Sequence, residues 1–177
     1  MAGGTAPVIH TGRLILREQR HDDFERHAAM LADPRVHRYV GNKAVPREEA
    51  WRKLIGCAGL WSVLGYGYWS VERESDGLYV GQVGFADFKR DMQPSIENLP
   101  EMGWLLSADA HGQGYASEAV AAGLKWIDEA MGRPEVVAII DPDNRASINV
   151  AEKAGFTSCE EATYKDERIL LLRRPSA

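Results

Sequence analysis

Residues 101–119, EMGWLLSADAHGQGYASEA, change character twice within one short stretch. Glu101 to Leu106 is apolar and aromatic, the composition of a buried strand, whereas from Tyr115 onward Ala, Glu, Val, Leu, Lys and Trp recur at helical spacing. Between the two lies His111-Gly112-Gln113-Gly114. Glycines at a strand-to-helix turn open backbone conformations closed to other residues, and let a ligand come within hydrogen-bonding distance of bare N–H groups. The first N–H groups of the helix have no internal partners and sit at the positive end of its dipole. The turn therefore suits an anion, most simply a phosphate, and a strand that feeds a helix through it commits the chain to a mixed α/β architecture.

Two familiar phosphate sites are excluded. No Lys-Ser or Lys-Thr follows the second glycine, so the nucleotide P-loop fails; the dinucleotide fingerprint fails for want of a third glycine and a place after the first strand. At 177 residues the chain makes one domain with a full core. A net charge of −5 argues against bulk nucleic-acid or anionic-membrane binding and is compatible with a cationic substrate. Cys57 and Cys159 lack metal-type spacing and read as free thiols in a reducing compartment. With no apolar run near the ~20 residues a bilayer demands, and an opening without a basic region and apolar segment, the cytoplasm is the expected location.

Residues 1–10 read as a flexible, Gly/Pro-containing lead-in, and 11–177 as the single domain. Leu14 and Leu16 alternate with charged positions in an opening strand, 11–17. Asp22 or Asp23 can cap a helix carrying Phe24, His27, Ala28 and Leu31 on one face, stopped by Asp33-Pro34. A second helix starts at Pro46, with acids in its first turn, and ends between Gly59 and Gly65. Residues 66–73 and 78–88 form a hairpin around Ser75-Asp76-Gly77, in which Gly81 and Gly84 signal a bend or a close approach. A loop at 89–100 leads into the strand at 101–106. Helix 115–131 precedes Val136-Val-Ala-Ile-Ile140, an apolar run expected of a strand buried on both faces. Asn144 or Asp143 caps a last helix, 145–154, and strands at 156–159 and 168–172 close the sheet before a basic, loose tail at 173–175. The sum is a mixed, mostly antiparallel sheet of six to seven strands flanked by about four helices.

The turn resembles the pyrophosphate-binding motif of the GNAT superfamily of acyl-CoA-dependent N-acetyltransferases: Gln or Arg, two residues, Gly, one residue, Gly or Ala. It falls on His111, Gly114 and Ala116, with His111 departing from the usual Gln or Arg. The series Thr11, Arg13-Leu14, Leu16-Arg17, Asp33-Pro34, Val36, Arg38-Tyr39 and Gly41 resembles the branch that holds the ribosomal-protein N-terminal (RimJ/RimL-like) acetyltransferases. Asn144-Arg-Ala-Ser147 followed by Glu152-Lys153-Ala-Gly155-Phe156 resembles a third hallmark, so the likeness runs from about residue 11 to 172.

That resemblance implies a sheet splayed between the fourth and fifth strands, 101–106 and 136–140, with acetyl-CoA as co-substrate in the gap. It places the pantetheine against Trp104, Leu105 and Leu106, and the pyrophosphate on His111, Gly112, Gln113, Gly114, Tyr115, Ala116 and Ser117. Asn144 would meet a pantetheine amide. The Tyr that many members use to protonate the leaving thiolate is replaced by Ala151, which leaves Ser147 as candidate donor; its plain alternative is a helix serine bonded back to a carbonyl. An amine acceptor must lose its proton before attack. Glu101 is the first candidate base, acting through water, and Glu97 the second; His111 is third, since its motif position points it at phosphate. His21, His27 and His37 lack metal spacing and read as surface or core. No metal is implied.

The implied reaction is acetyl transfer to a primary amine, either a protein N-terminus or a small molecule, by a monomer or homodimer. Trp61, Tyr66, Tyr68 and Trp69 are candidate walls of an acceptor pocket, or else core packing. A non-catalytic acyl-CoA sensor and a plain structural domain are the alternative readings.

Overall fold

A computed structural model describes residues 4–177. Among these residues eight strands form one sheet: β1 (Ile9–His10), β2 (Leu14–Arg17), β3 (Tyr68–Arg73), β4 (Leu78–Ala86), β5 (Glu101–Leu106), β6 (Val136–Ile140), β7 (Ser158–Tyr164) and β8 (Glu167–Arg174). Their spatial order is β1-β2-β3-β4-β5-β6-β8-β7, antiparallel throughout except for β5 beside β6. Five α-helices accompany it: α1 (Phe24–Ala32), α2 (Pro34–His37), α3 (Arg47–Leu64), α4 (Tyr115–Met131) and α5 (Arg145–Lys153). The sheet thus has one strand more than the sequence implies, and the helices one more, because Asp33 restarts the chain as α2 by accepting a hydrogen bond from Arg35 N at 2.8 Å.

Alternation along the strands separates two apolar layers. Leu14, Leu16, Trp69, Val71, Val83, Phe85 and Met102 face one side, where they pack with Val120, Leu124 and Ile127 of α4 and Ile148 and Ala151 of α5. On the other side Ala28, Met30 and Leu31 of α1 pack with Val36, Ala50 and Tyr79. Farther along that second face, Met92 and Ile96 of the loop before β5 cover Val137, Ile169 and Leu171.

Both ends of the chain are better fixed than expected. Residues 1–3 of the expected lead-in lie outside the described residues, but Ala6 is buried, Pro7 O accepts from Trp69 Nε1 at 2.8 Å, and Ile9–His10 pairs with β2. The tail expected to be loose begins inside β8, where Arg174 is buried and bonds both oxygens of Asp128 at 2.9 and 2.5 Å. These basic residues read as a tail because their acidic partners are distant in sequence.

Asp23 does not cap α1 with its side chain. It is buried, and its carboxylate is held by Arg17 at 2.9 and 2.8 Å, by Ser70 Oγ at 2.8 Å and by Arg20 N at 2.9 Å. Burial raises its pKa, but hydrogen bonds from Arg17, Arg20 and Ser70 outweigh that and leave it below its ordinary value. This network fastens β2 and β3 to the start of α1.

Candidate active site

The turn before α4 has the geometry its glycines imply. Gly112 and Gly114 take φ of +73° and +78°, and a Cβ on Gly112 would meet no atom within 4 Å, so the loop stands open to solvent. Main-chain pairing brackets it: His111 N donates to Ala108 O and Glu118 N to Gly114 O. Among the described residues, the N–H groups of Gly112, Gln113, Gly114, Tyr115, Ala116 and Ser117 between them donate to nothing. Six such donors at the head of a seventeen-residue helix are the chemistry that an anion requires of a binding site.

A cation braces this turn. The Arg13 side chain donates to Gln113 O at 2.9 Å and to Glu118 at 2.7 Å, and its guanidinium lies 4.7 Å from the centre of the Tyr115 ring. Glu118 also accepts from Thr11 Oγ1 at 2.6 Å and Arg13 N at 2.8 Å. Burial raises the Glu118 pKa, but these hydrogen bonds hold it below its ordinary value. The strand pattern shows Arg13 as an outward charge; only the packing of β2 against α4 brings it to the turn.

His111 departs from expectation. Its ring does not face the anion loop but lies 2.9 Å, through Nε2, from Leu106 O. A carbonyl can only accept, so Nε2 carries the hydrogen. The side chain ties the turn back to the end of β5.

The implied splay is present between β5 and β6. Only Glu101 and Val137 are paired across these parallel strands, backed by Val137 N donating to Pro100 O at 3.1 Å. Beyond that point the β6-facing edge of β5 from Met102 to Leu106 pairs with no strand among the described residues. A cavity of about 190 Å³ occupies the opening, walled by Trp104 and Leu105 on one side and by Ile140, Asp141, Asn144 and Ser147 on the other. Asn144 caps α5 through Oδ1, which accepts from Ser147 N at 3.1 Å. The Ser147 hydroxyl, half-buried, makes no hydrogen bond among the described residues, so it is not bonded back to a helical carbonyl.

The expected bases are elsewhere. Glu101 is buried with both oxygens on Arg90, at 2.6 and 2.8 Å, and Arg90 is further sandwiched between the rings of Phe88 and Tyr164. Neither Glu101 nor the exposed Glu97 lines the cavity. The strand-start position of Glu101 showed it near the splay, but not that the neighbouring loop delivers an arginine to it. Among the described lining residues, Asp141 is the one carboxylate, and no Lys, Arg or His faces the space. It follows the C-terminal end of a central strand, a place where α/β sheets bind ligands, and that was the available signal.

Of the expected aromatic walls, Trp61, Tyr66 and Trp69 belong to the core; Trp61 and Trp69 stack edge-on with each other at 4.7 Å and each with Trp126 at 5.2 Å. Tyr68 alone of the four lines the cavity, joined by Tyr39, Val40 and Gln82.

The family profile described as "Acetyltransferase (GNAT) domain" matches residues 13–157, and the chain belongs to that family of acetyltransferases; it is an acyltransferase enzyme. Its family draws on acetyl-CoA. The chain is similar to the uncharacterized N-acetyltransferase YoaA of Bacillus subtilis, 29% identical over 154 residues that cover 85% of this chain and 82% of YoaA. It is also similar to a Bordetella pertussis protein described as a GnaT-family acetyltransferase, with a TM-score of 0.83, 30% identity and coverage of 96% and 99%. The fold recurs in RimL, a ribosomal L7/L12 alpha-N-protein acetyltransferase solved in complex with coenzyme A, at a TM-score of 0.75, 17% identity and coverage of 96% and 98%. No helix among the described residues is long and apolar enough to cross a membrane.

Proposed function

We propose that the protein transfers an acetyl group from acetyl-CoA to a primary amine by direct attack within a ternary complex. One observation carries this reading: six unclaimed main-chain N–H groups adjoin an unpaired strand edge that opens on a cavity holding a single carboxylate. The residues fit the co-substrate. The free N–H groups of Gly112, Gln113, Gly114, Tyr115, Ala116 and Ser117 would hold its diphosphate; His111, whose N–H is given to Ala108 O and whose ring lies on Leu106 O, is not among them. The free edge at Trp104, Leu105 and Leu106 would pair with pantetheine amides as an added strand does. Acetyl-CoA supplies the activated thioester.

The chain's own groups divide the remaining work. One N–H of the β5 edge receives the developing charge on the acetyl oxygen. Asn144, its Oδ1 already engaged, keeps its NH₂ for a pantetheine carbonyl. Ser147, one turn away and with a free hydroxyl, donates to the departing sulfur in place of the Tyr absent at Ala151. An amine with a pKa of roughly 8 to 10 arrives as an ammonium, and Asp141, rather than Glu101, takes its proton.

The acceptor is a small amine or a protein N-terminus, as in RimL. A cavity lined by one carboxylate and no cation suits an ammonium and disfavours an anionic group beside it. The test is incubation with acetyl-CoA and a panel of primary amines and N-terminal peptides, reading free thiol and product mass. Acceptor-dependent thiol is the expected result. Tight binding of coenzyme A with no thiol release for any acceptor would replace transfer by sensing.

A further inference from the structure

Tyr68, Gly84 and Gly103 lie in register across β3, β4 and β5. Adjacent strands stand roughly 4.8 Å apart, so a tyrosine can bridge from the first to the third if nothing rises between. Tyr68 does so: a Cβ built on Gly103 would fall 2.2 Å from the Tyr68 hydroxyl and 3.2 Å from its Cζ. The hydroxyl therefore rests on Gly103, inside the stretch of β5 that is unpaired toward β6, and any side chain at 103 would displace it.

The side chain is more than nine-tenths buried and lines the cavity, yet its hydroxyl has no hydrogen-bond partner among the described residues. Gln19 Oε1, His27 Nε2 and His37 Nδ1 are also unpartnered but do not line the cavity, whereas the Tyr68 hydroxyl, on a residue of the cavity wall, is free to meet a ligand. Tyr68 shares the cavity wall with Gln82 and with Asp141. Burial, first, and then the nearby Glu101 push its pKa well up, so the phenol keeps its proton and works only through hydrogen bonds.

Resting on the acetyl-transfer reading above, we infer that the Tyr68 hydroxyl is the acceptor-site contact for the attacking nitrogen: its oxygen accepts an N–H of the amine and holds that nitrogen over Gly103, beside the β5 edge. Asp141 removes the surplus proton. The bond that forms is nitrogen to acetyl carbon and the bond that breaks is carbon to sulfur; the thiolate takes the Ser147 proton to leave as the thiol, and the nitrogen's second proton, lost as the amide forms, restores the serine hydroxyl. Tyr68 changes neither its charge nor its bonding.

The test compares wild type, Tyr68→Phe, Gly103→Ala and the double variant. Coenzyme A affinity is read by calorimetry, and acetyl transfer by thiol release with benzylamine and with a peptide bearing N-terminal alanine as acceptors. Phe keeps the ring on Gly103 and removes only the hydroxyl. Tyr68→Phe is expected to lower kcat/KM for the better acceptor by roughly 10-fold or more, the worth of one hydrogen bond to a charged or reacting group, with coenzyme A affinity within about twofold. Gly103→Ala should cause a similar loss in the wild-type background and much less in the Tyr68→Phe background, because the nearest atom is then gone. Transfer by Tyr68→Phe equal to wild type, or equal losses from Gly103→Ala in both backgrounds, overturns the inference. An inactive wild type that still binds coenzyme A overturns the transfer reading itself, and the Tyr68 assignment with it.

Discussion

Substituting Gly114 separates charge from shape at the anion turn. A side chain at φ +78° costs about 1–2 kcal/mol of folding stability, and both Gly114→Ala and Gly114→Glu carry that cost. Only Glu adds a negative charge. At roughly 6 Å from a diphosphate in a water-like medium, each pair of unit charges repels by about 0.7 kcal/mol, and two phosphate charges by about 1.4 kcal/mol; partial exclusion of water raises this to about 3 kcal/mol. The new carboxylate could pair with Arg13, whose Nη2 would lie 3.4 Å from the added Cβ. Such an exposed pair is worth less than about 1 kcal/mol, and Arg13 is already committed to Glu118 and Gln113, so repulsion wins. Calorimetric titration with coenzyme A should show Gly114→Ala within about threefold of wild type, and Gly114→Glu weaker by roughly 10- to 100-fold near 0.1 M salt. The gap should narrow near 1 M, where the screening length falls to about 3 Å. If Gly114→Glu binds coenzyme A as wild type does, the six N–H groups are not where the diphosphate sits.

Four further outcomes follow from particular contacts. Ser147→Ala should lower kcat by roughly 10²-fold with the melting temperature unchanged, because the cap of α5 uses Ser147 N and not its hydroxyl. Asp141→Asn should lower kcat/KM for amines by roughly 10²-fold at neutral pH while coenzyme A still binds, as steady-state kinetics and calorimetry would show. His27 is wholly buried, which pushes its pKa down to about 4, so from the unfolded value of 6.5 downward the unfolded chain takes a proton that the folded one refuses. Stability should therefore fall by about 3 kcal/mol between pH 6.5 and 4, and His27→Gln, compared in urea melts at pH 7 and 4.5, should flatten that window. Asp23→Ala strips Arg17 of two buried hydrogen bonds and should cost about 3–5 kcal/mol, lowering Tm by roughly 10 °C in a thermal melt at pH 7. Because the Asp23 carboxyl is held below 3.8, its contribution is complete above that pH and fades only as pH falls further, below the window set by His27.

What was legible in the chain was whatever local chemistry specifies. Gly112 and Gly114 announced positive φ, Ser75-Asp76-Gly77 a hairpin, Val136–Ile140 a strand covered on both faces, and Asn144 a helix cap. Bonds between residues far apart in sequence were illegible. Arg13 reaching Gln113 and Glu118, Glu72 and Ser70 of β3 closing on Arg17 and Asp23, and, over a shorter span, Arg90 reaching Glu101 each reassign a charge that the local pattern leaves on the surface. The terminal segments misled for the same reason: Ile9–His10 and Arg173-Arg174 look unconstrained until their partners in β2, β6 and α4 are known.

The sequence by itself determined the glycine turn between strand and helix, the order of the elements from β2 onward apart from the short α2, and membership of the family, since backbone freedom, periodicity and motif spacing are local properties written in consecutive residues. Only the tertiary structure decided which groups face the opening between β5 and β6. Register set Tyr68 over Gly103, alternation sent Trp69 into the core, and the loop before β5 closed Arg90 on Glu101, leaving Asp141 as the carboxylate of the cavity. A side chain's direction follows from strand pairing, and pairing joins residues that no short stretch of sequence contains.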